Sequence, residues 1–238
     1  KFKKAVLCEK PFAMNREQLA EMIATAQAEN CFLMEAMWTQ FLPHFKYVQQ
    51  VVNSGKYGKI RNLKADFGFP APFDAEKRLF NKNLGGGSLL DIGIYPVFMA
   101  LSLLGKPNKI NATAKIGKTG VDEKCQVLFK YDRKVEAELS SSILEKTPTT
   151  ALIQLEKASI HINSRFHEPS SVRIQTPNGE ELKEFEVNTN GYNFEAQHVQ
   201  EMLSQGRIES TEMSWKKSLE LIELLDEIRE KIGLEYEV

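Results

Sequence analysis

The sequence reads as an α+β chain built on a large open, mostly antiparallel sheet with helices on one face, entered through a single parallel crossover unit. Three observations predict it. Eight strand-like segments crowd the stretch from residue 60 to residue 187, several with period-two alternation and turn residues between them. One apolar helix interrupts that run and two amphipathic helices follow it, so helices are expected to cover one sheet face. Before the sheet, strand, helix and strand fit into some 30 residues, the length of one crossover.

In order, residues 5–8 form a short apolar strand ended by Glu9-Lys10-Pro11, because Pro11 has no N–H to give and biases Lys10 to an extended backbone. Asn15 can cap a helix whose apolar positions Leu19, Met22, Ile23 and Ala26 recur at helical spacing, running to about Glu29. Residues 32–36 read as a second buried strand. After Pro43, the positions Phe45, Val48, Val51 and Val52 mark a helix closed by Gly55 and Gly58. Strands are then expected at 60–69, 110–116, 125–131, 134–141, 151–155, 158–162, 171–176 and 183–187, with helices at 88–104, 194–203 and 214–232.

Composition limits the functions. Thirty-one Lys and Arg stand against 32 Asp and Glu, so no net field draws nucleic acid or an anionic membrane. No unbroken apolar run approaches the roughly 18 residues of a membrane span, and neither a membrane nor a secreted location is expected. The cysteines Cys8, Cys31 and Cys125 are odd in number and far apart, which fits a reducing cytoplasm. His44, His161, His167 and His198 share no metal-ligand spacing, so no metal is expected.

Two short motifs carry chemistry. Lys10 sits at the carboxyl end of a strand, where open parallel sheets usually bind ligands, although an ordinary strand-ending loop would look the same. Gly85-Gly86-Gly87 leads into a helix on which Asp91 and Tyr95, four apart, share a face. A helix cap and a packed Tyr would share that spacing. The glycines are no dinucleotide fingerprint, since Leu90 stands where its last Gly belongs. Gly117-Lys118-Thr119 is no phosphate loop, since Ala112 replaces its first Gly; it reads as a hairpin turn. A Lys beside a Tyr suits hydride chemistry, the ammonium favouring the phenolate and the phenol moving the hydroxyl proton. Trp38 with Phe41, and Phe166 with His167, could line a pocket for a ring-shaped substrate.

Together these segments resemble the Gfo/Idh/MocA family of nicotinamide-dependent oxidoreductases, in its dimeric dihydrodiol and xylose dehydrogenase branch. The resemblance rests on residues 5–11 with their Glu-Lys-Pro, on the glycine-led helix from Gly85 to Pro96, on Met34-Glu35-Ala36-Met37-Trp38-Thr39 and on the last helix with Gly233. It implies that residues 1–37 are the last crossover of a Rossmann domain and residues 38–238 an α+β substrate-binding and dimerisation domain. A Gly-rich first crossover would come before them, and the 238 residues alone are expected to be inactive. By the same resemblance Lys10 lies beside the nicotinamide and substrate, Tyr95 is the general acid and base, and Asp91 orients substrate. Glu9 and Pro11 shape the edge for NAD or NADP. Gln40 stands where that branch is expected to have Arg. The substrate would be a sugar, polyol or trans-dihydrodiol, and a homodimer would form through the free sheet face, hiding an apolar patch. The alternative is a non-catalytic sugar or dinucleotide sensor of the same fold.

Overall fold

The computed structural model describes residues 2–237. Two sheets organise it. Strands β1 (Val6–Glu9) and β2 (Leu33–Ala36) pair in parallel, with Cys8 opposite Glu35, and are joined by helix α1 (Arg16–Ala28). Asn15 caps α1, its side chain accepting from Gln18 N at 2.9 Å. The turn of 3-10 helix at Trp38–Phe41 leads into α2 (Pro43–Asn53), where Pro43 starts the helix at a position that has no intrahelical N–H bond to lose.

The large sheet has eight strands: β3 (Ile60–Gly68), β4 (Lys109–Ile116), β5 (Asp122–Lys130), β6 (Glu136–Ser142), β7 (Ala151–Leu155), β8 (Ser159–Ile162), β9 (Val172–Thr176) and β10 (Gly179–Lys183). Their spatial order is β10-β9-β8-β7-β3-β6-β5-β4, and every pair is antiparallel except β3 with β6. Gly117-Lys118-Thr119 lies in the β4–β5 hairpin, closed by Gly117 N to Val121 O at 2.8 Å. Helix α3 (Ile94–Leu104) lies against β3 and β6 and α5 (Trp215–Ile232) against β4, while α4 (Tyr192–Ser204) packs on the Trp38–Phe41 turn. Ser214 caps α5 and Gly233, at φ 68°, ends it.

Two expected elements come out differently. The last strand is not 183–187 but Gly179–Lys183, because Pro177 and Asn178 make a two-residue turn that pairs Gly179 directly with Thr176. The apolar residue that suggested a later strand, Phe185, instead packs its ring on Tyr47, centroids 5.6 Å apart. The helix expected at 88–104 is two, a π-helical turn (Leu89–Gly93) followed by α3. The segment Lys82–Leu104 is long and apolar enough to cross a membrane by composition, yet 78% of its apolar window is buried in the protein. Its buried part, the π-turn and α3, runs through the core.

One core cluster runs through both sheets, joining Leu19, Ile23 and Leu33 to Phe98, Leu221 and Leu225. Polar ties cross the same junction: Trp215 Nε1 donates to Leu33 O at 2.8 Å, Arg229 to Met14 O at 2.7 Å, and Arg16 N to Asp226 Oδ2 at 2.8 Å. The crossover unit is therefore fastened to α5.

Candidate active site

The site forms where the carboxyl end of β1 meets the start of the central helix. The peptide between Lys10 and Pro11 is cis. Past it the chain turns back, and Phe12 N donates to the buried Glu35 Oε1 at 3.2 Å. This holds the Lys10 loop against β2. Glu35 has little else to stabilise a charge, so burial pushes its carboxyl up to about 7, only partly offset by nearby Ser218, the Phe12 N–H and Lys10.

The other half depends on the glycines. A Cβ on Gly86 would lie 2.3 Å from Arg78 O, and one on Gly87 2.2 Å from Asp122 Oδ1, with Gly87 at φ 122°. Only glycine lets the chain pass there. The space is filled by the protein's own atoms, so these glycines form no open cradle for a phosphate. Asp122, buried on β5, accepts from Ser88 Oγ and Leu89 N, both at 2.7 Å, and so fixes where the π-turn begins. Burial raises its carboxyl to about 6.

This framework brings Lys10, Asp91 and Tyr95 together. Lys10 Nζ donates to Asp91 O at 2.5 Å, lies 3.9 Å from Asp91 Oδ1, and sits 4.8 Å from the Tyr95 ring centroid. Burial lowers the Lys10 ammonium; Asp91 opposes that shift and Arg78 adds to it. Arg78 forms the second ion pair of Asp91, at 2.5 Å. Trp38 Nε1 donates to Tyr95 Oη at 3.1 Å. Lys10 does not favour the phenolate as expected: burial is the largest influence on Tyr95 and pushes its pKa well up, and the Trp38 N–H only partly opposes it. The reason is placement, since the ammonium faces the ring and bonds to Asp91, not to the phenolic oxygen.

Aromatic rings complete the wall. His167 stacks on Phe67 at 4.1 Å, tilts on Tyr95 at 4.9 Å and meets Trp38 edge-on at 6.3 Å. Tyr192, at the start of α4, stacks on Trp38 at 4.3 Å and remains about half exposed. Burial lowers His167 to about 4, so its ring is neutral near pH 7, with Glu168 Oε1 at 3.3 Å. Glu9 is exposed at the mouth, and Pro11 is half-buried beside it.

Two of the expected lining residues do not face this space. Phe41 is buried against His198 at 4.9 Å, in the packing between its own turn and α4. Phe166 is fully buried behind His167, and its carbonyl accepts from His44 Nε2 at 2.8 Å. Each supports the wall instead of forming it. Conversely, Phe67, Arg78 and Tyr192 escaped notice in the sequence. Phe67 left a trace, since it continues the inward alternation of Leu63 and Ala65 to the strand end; Arg78 opens a short 3-10 turn and Tyr192 is the first residue of α4, where no apolar period marks a side chain that faces the site. Gln40, in place of the expected Arg, is buried and accepts from Lys217 Nζ at 3.1 Å. Among the described residues, no three His, Cys, Asp or Glu side chains converge as a metal-binding group.

A Lys, a Tyr and a carboxylate at the end of a parallel crossover, walled by an eight-stranded sheet, define an α+β oxidoreductase domain. The model of the GFO/IDH/MocA C-terminal domain matches residues 45–161. The chain is 38% identical over 245 residues to trans-1,2-dihydrobenzene-1,2-diol dehydrogenase of Xenopus laevis, covering 98% of this chain and 72% of that protein. It belongs to the Gfo/Idh/MocA family of oxidoreductases. Its fold is similar to that of aldose-aldose oxidoreductase from Caulobacter crescentus complexed with glycerol, with TM-score 0.87, 23% identity, and 96% and 70% of the two chains covered. It is also similar to a 3-ketoreductase from Actinomadura kijaniata in complex with TDP-benzene and NADP, with TM-score 0.81, 22% identity, and 96% and 70% covered.

Proposed function

We propose that this chain carries the substrate side of an NAD- or NADP-dependent dehydrogenase acting on a hydroxyl of a sugar, polyol or trans-dihydrodiol. The observation that carries this reading is the Lys10, Asp91 and Tyr95 cluster under a neutral His167 and an aromatic wall. Residues 1–37 would belong to the dinucleotide-binding unit and 38–238 to the substrate and dimerisation domain, a division supported by the separate two-stranded parallel sheet. The described residues fit the nicotinamide end of the cofactor: the backbone of Glu9, Lys10 and Pro11 turns at a strand's carboxyl end beside a buried amine. The cofactor supplies hydride acceptance or donation.

The chain's own residues do the rest. Tyr95, a buried neutral phenol held by the Trp38 N–H, passes a proton to or from the substrate oxygen. Lys10, held by Asp91, places a positive charge beside that oxygen's path. Asp91, held by Arg78, anchors Lys10 and offers its carboxylate to a neighbouring hydroxyl. Trp38, Phe67, His167 and Tyr192 give a sugar or diene ring flat faces and exclude water. The three free thiols support a reducing, cytoplasmic setting, and the open sheet face supports a homodimer.

The test is hydride transfer with both nicotinamide cofactors across aldoses, polyols and trans-dihydrodiols, using this chain joined to the extra length its relatives carry. Tyr95→Phe and Lys10→Ala are each expected to lower kcat by about 10²–10⁴-fold, the usual worth of a positioned acid or base. Rates unchanged in both variants, or no turnover with any of these substrates, would overturn the reading.

A further inference from the structure

The Tyr95 wall has a second side. Beyond His167 lies a cleft of 440 Å³ between the end of β3, the loop after β6 and the loop after β8. It is preformed. Thr149 N and Thr150 N donate to the Asp66 carboxylate at 2.7 and 3.3 Å, Thr147 N donates to Gly68 O at 3.1 Å, and Arg165 N to Thr149 O at 2.8 Å. Packing is close enough that a Cβ on Gly68 would lie 2.6 Å from Thr147 Cγ2.

Its lining is mixed in a particular way. Phe67 and Phe69, ring centroids 6.2 Å apart, give it an aromatic side. Opposing polarity comes from Lys146, from the Arg165–Glu168 ion pair, from Ser164, whose hydroxyl donates to Pro148 O at 3.0 Å and keeps its oxygen free to accept, and from Thr147 Oγ1, which is buried with no hydrogen-bond partner. Lys146 is exposed at the rim, while the neighbouring carboxylates Glu145 and Glu168 pair with Lys124 and Arg165 instead. Apolar faces beside convergent donors and acceptors suit a polyhydroxylated ring, whose C–H face stacks while its hydroxyls bond. The His167 imidazole is shared, lining this cleft while its ring lies 4.9 Å from that of Tyr95.

We propose that the cleft is an outer subsite for a second sugar ring, so that the substrate is a disaccharide or glycoside oxidised on the ring beside Tyr95. Which ring reacts rests on the dehydrogenase reading, but occupancy of the cleft does not. The test is therefore binding to the 238-residue chain, followed through backbone amide shifts, with cellobiose and xylobiose against glucose and xylose. The disaccharides are expected to shift amides at 146–149 and 164–168 that the monosaccharides leave in place, and to bind about tenfold tighter, the scale of one or two added polar contacts. Lys146→Ala should remove most of that advantage, and Ser164→Phe, which fills the cleft from an exposed position, should abolish it while the fold, read from the remaining amides, persists. Equal affinity for one ring and two, or disaccharide shifts that survive Ser164→Phe, would overturn the subsite. Failed turnover would count against the dehydrogenase and leave these shifts untouched.

Discussion

At Glu35 a side chain needed for geometry carries a charge its surroundings resist. Its Oε1 holds Phe12 N while Oε2 is buried without a partner, and burial raises the carboxyl to about 7. A raised acid favours the fold while protonated, so its contribution is complete below the ordinary value near 4.5 and is lost as pH rises through 7. His44 and His167 run the other way. Both are lowered to about 4 by burial, so their contribution is present above about 6.5 and is lost as pH falls through 4. Glu35→Gln keeps the acceptor for Phe12 and removes the ionisation. Its melting temperature is expected to gain steadily on the wild type between pH 4.5 and pH 8, and a difference constant with pH would show that the carboxyl titrates normally.

Among the elements, the entry to the central helix is the one where sequence, space and function meet. Gly87 occupies a left-handed backbone angle and abuts Asp122 Oδ1, and Asp122 in turn holds Ser88 and Leu89. Gly87→Ala therefore meets both a backbone penalty of about 1–3 kcal/mol and a collision with the group that starts the π-turn. Urea unfolding should show at least that loss, and in the joined enzyme kcat should fall with it, since Asp91 and Tyr95 both follow from that start. A variant as stable as wild type would mean the turn relaxes without displacing Asp122. The glycines were legible in the sequence as a sharp turn, but the π-turn was not: nothing in the pattern of 89–93 separates a wider helical turn from an ordinary one. Its cause is tertiary, in the bonds from β5.

Across the whole molecule, helices cover one face of the eight-stranded sheet and leave the other open. That face is mixed, apolar side chains and aliphatic stems alternating with charged ends. Its hollow, about 740 Å³, is lined by Leu128, Leu152, Val127 and Ala112 together with Lys64, Asp66, Gln126 and Glu138. Lys64 pairs with Glu138 at 2.8 Å across neighbouring strands, satisfying charge that an apolar face would lack. A homodimer through this surface would bury an apolar centre around Leu128 and Leu152 and pair charges at its rim. Sedimentation should report twice the monomer mass, and Leu128→Arg with Leu152→Arg should halve it without altering the melting temperature of the monomer. A wild-type monomer at tens of micromolar would remove the sheet as an interface.

By itself the sequence determined the α+β class, nearly every strand and helix and the cap at Asn15, and it singled out Lys10, Asp91 and Tyr95, which the fold brings together. These are local facts: apolar period, turn residues and capping chemistry act over a few residues and leave their mark in the order of the chain. Only the tertiary structure decided what surrounds those groups. It set Arg78 on Asp91, Trp38 on the Tyr95 oxygen and Tyr192 over Trp38, and it retired Phe41 and Phe166 to the core. The physical reason is range. Burial and electrostatic neighbours come from segments scores of residues apart, and they, more than the identity of Lys10 or Tyr95, fix the protonation state of each group.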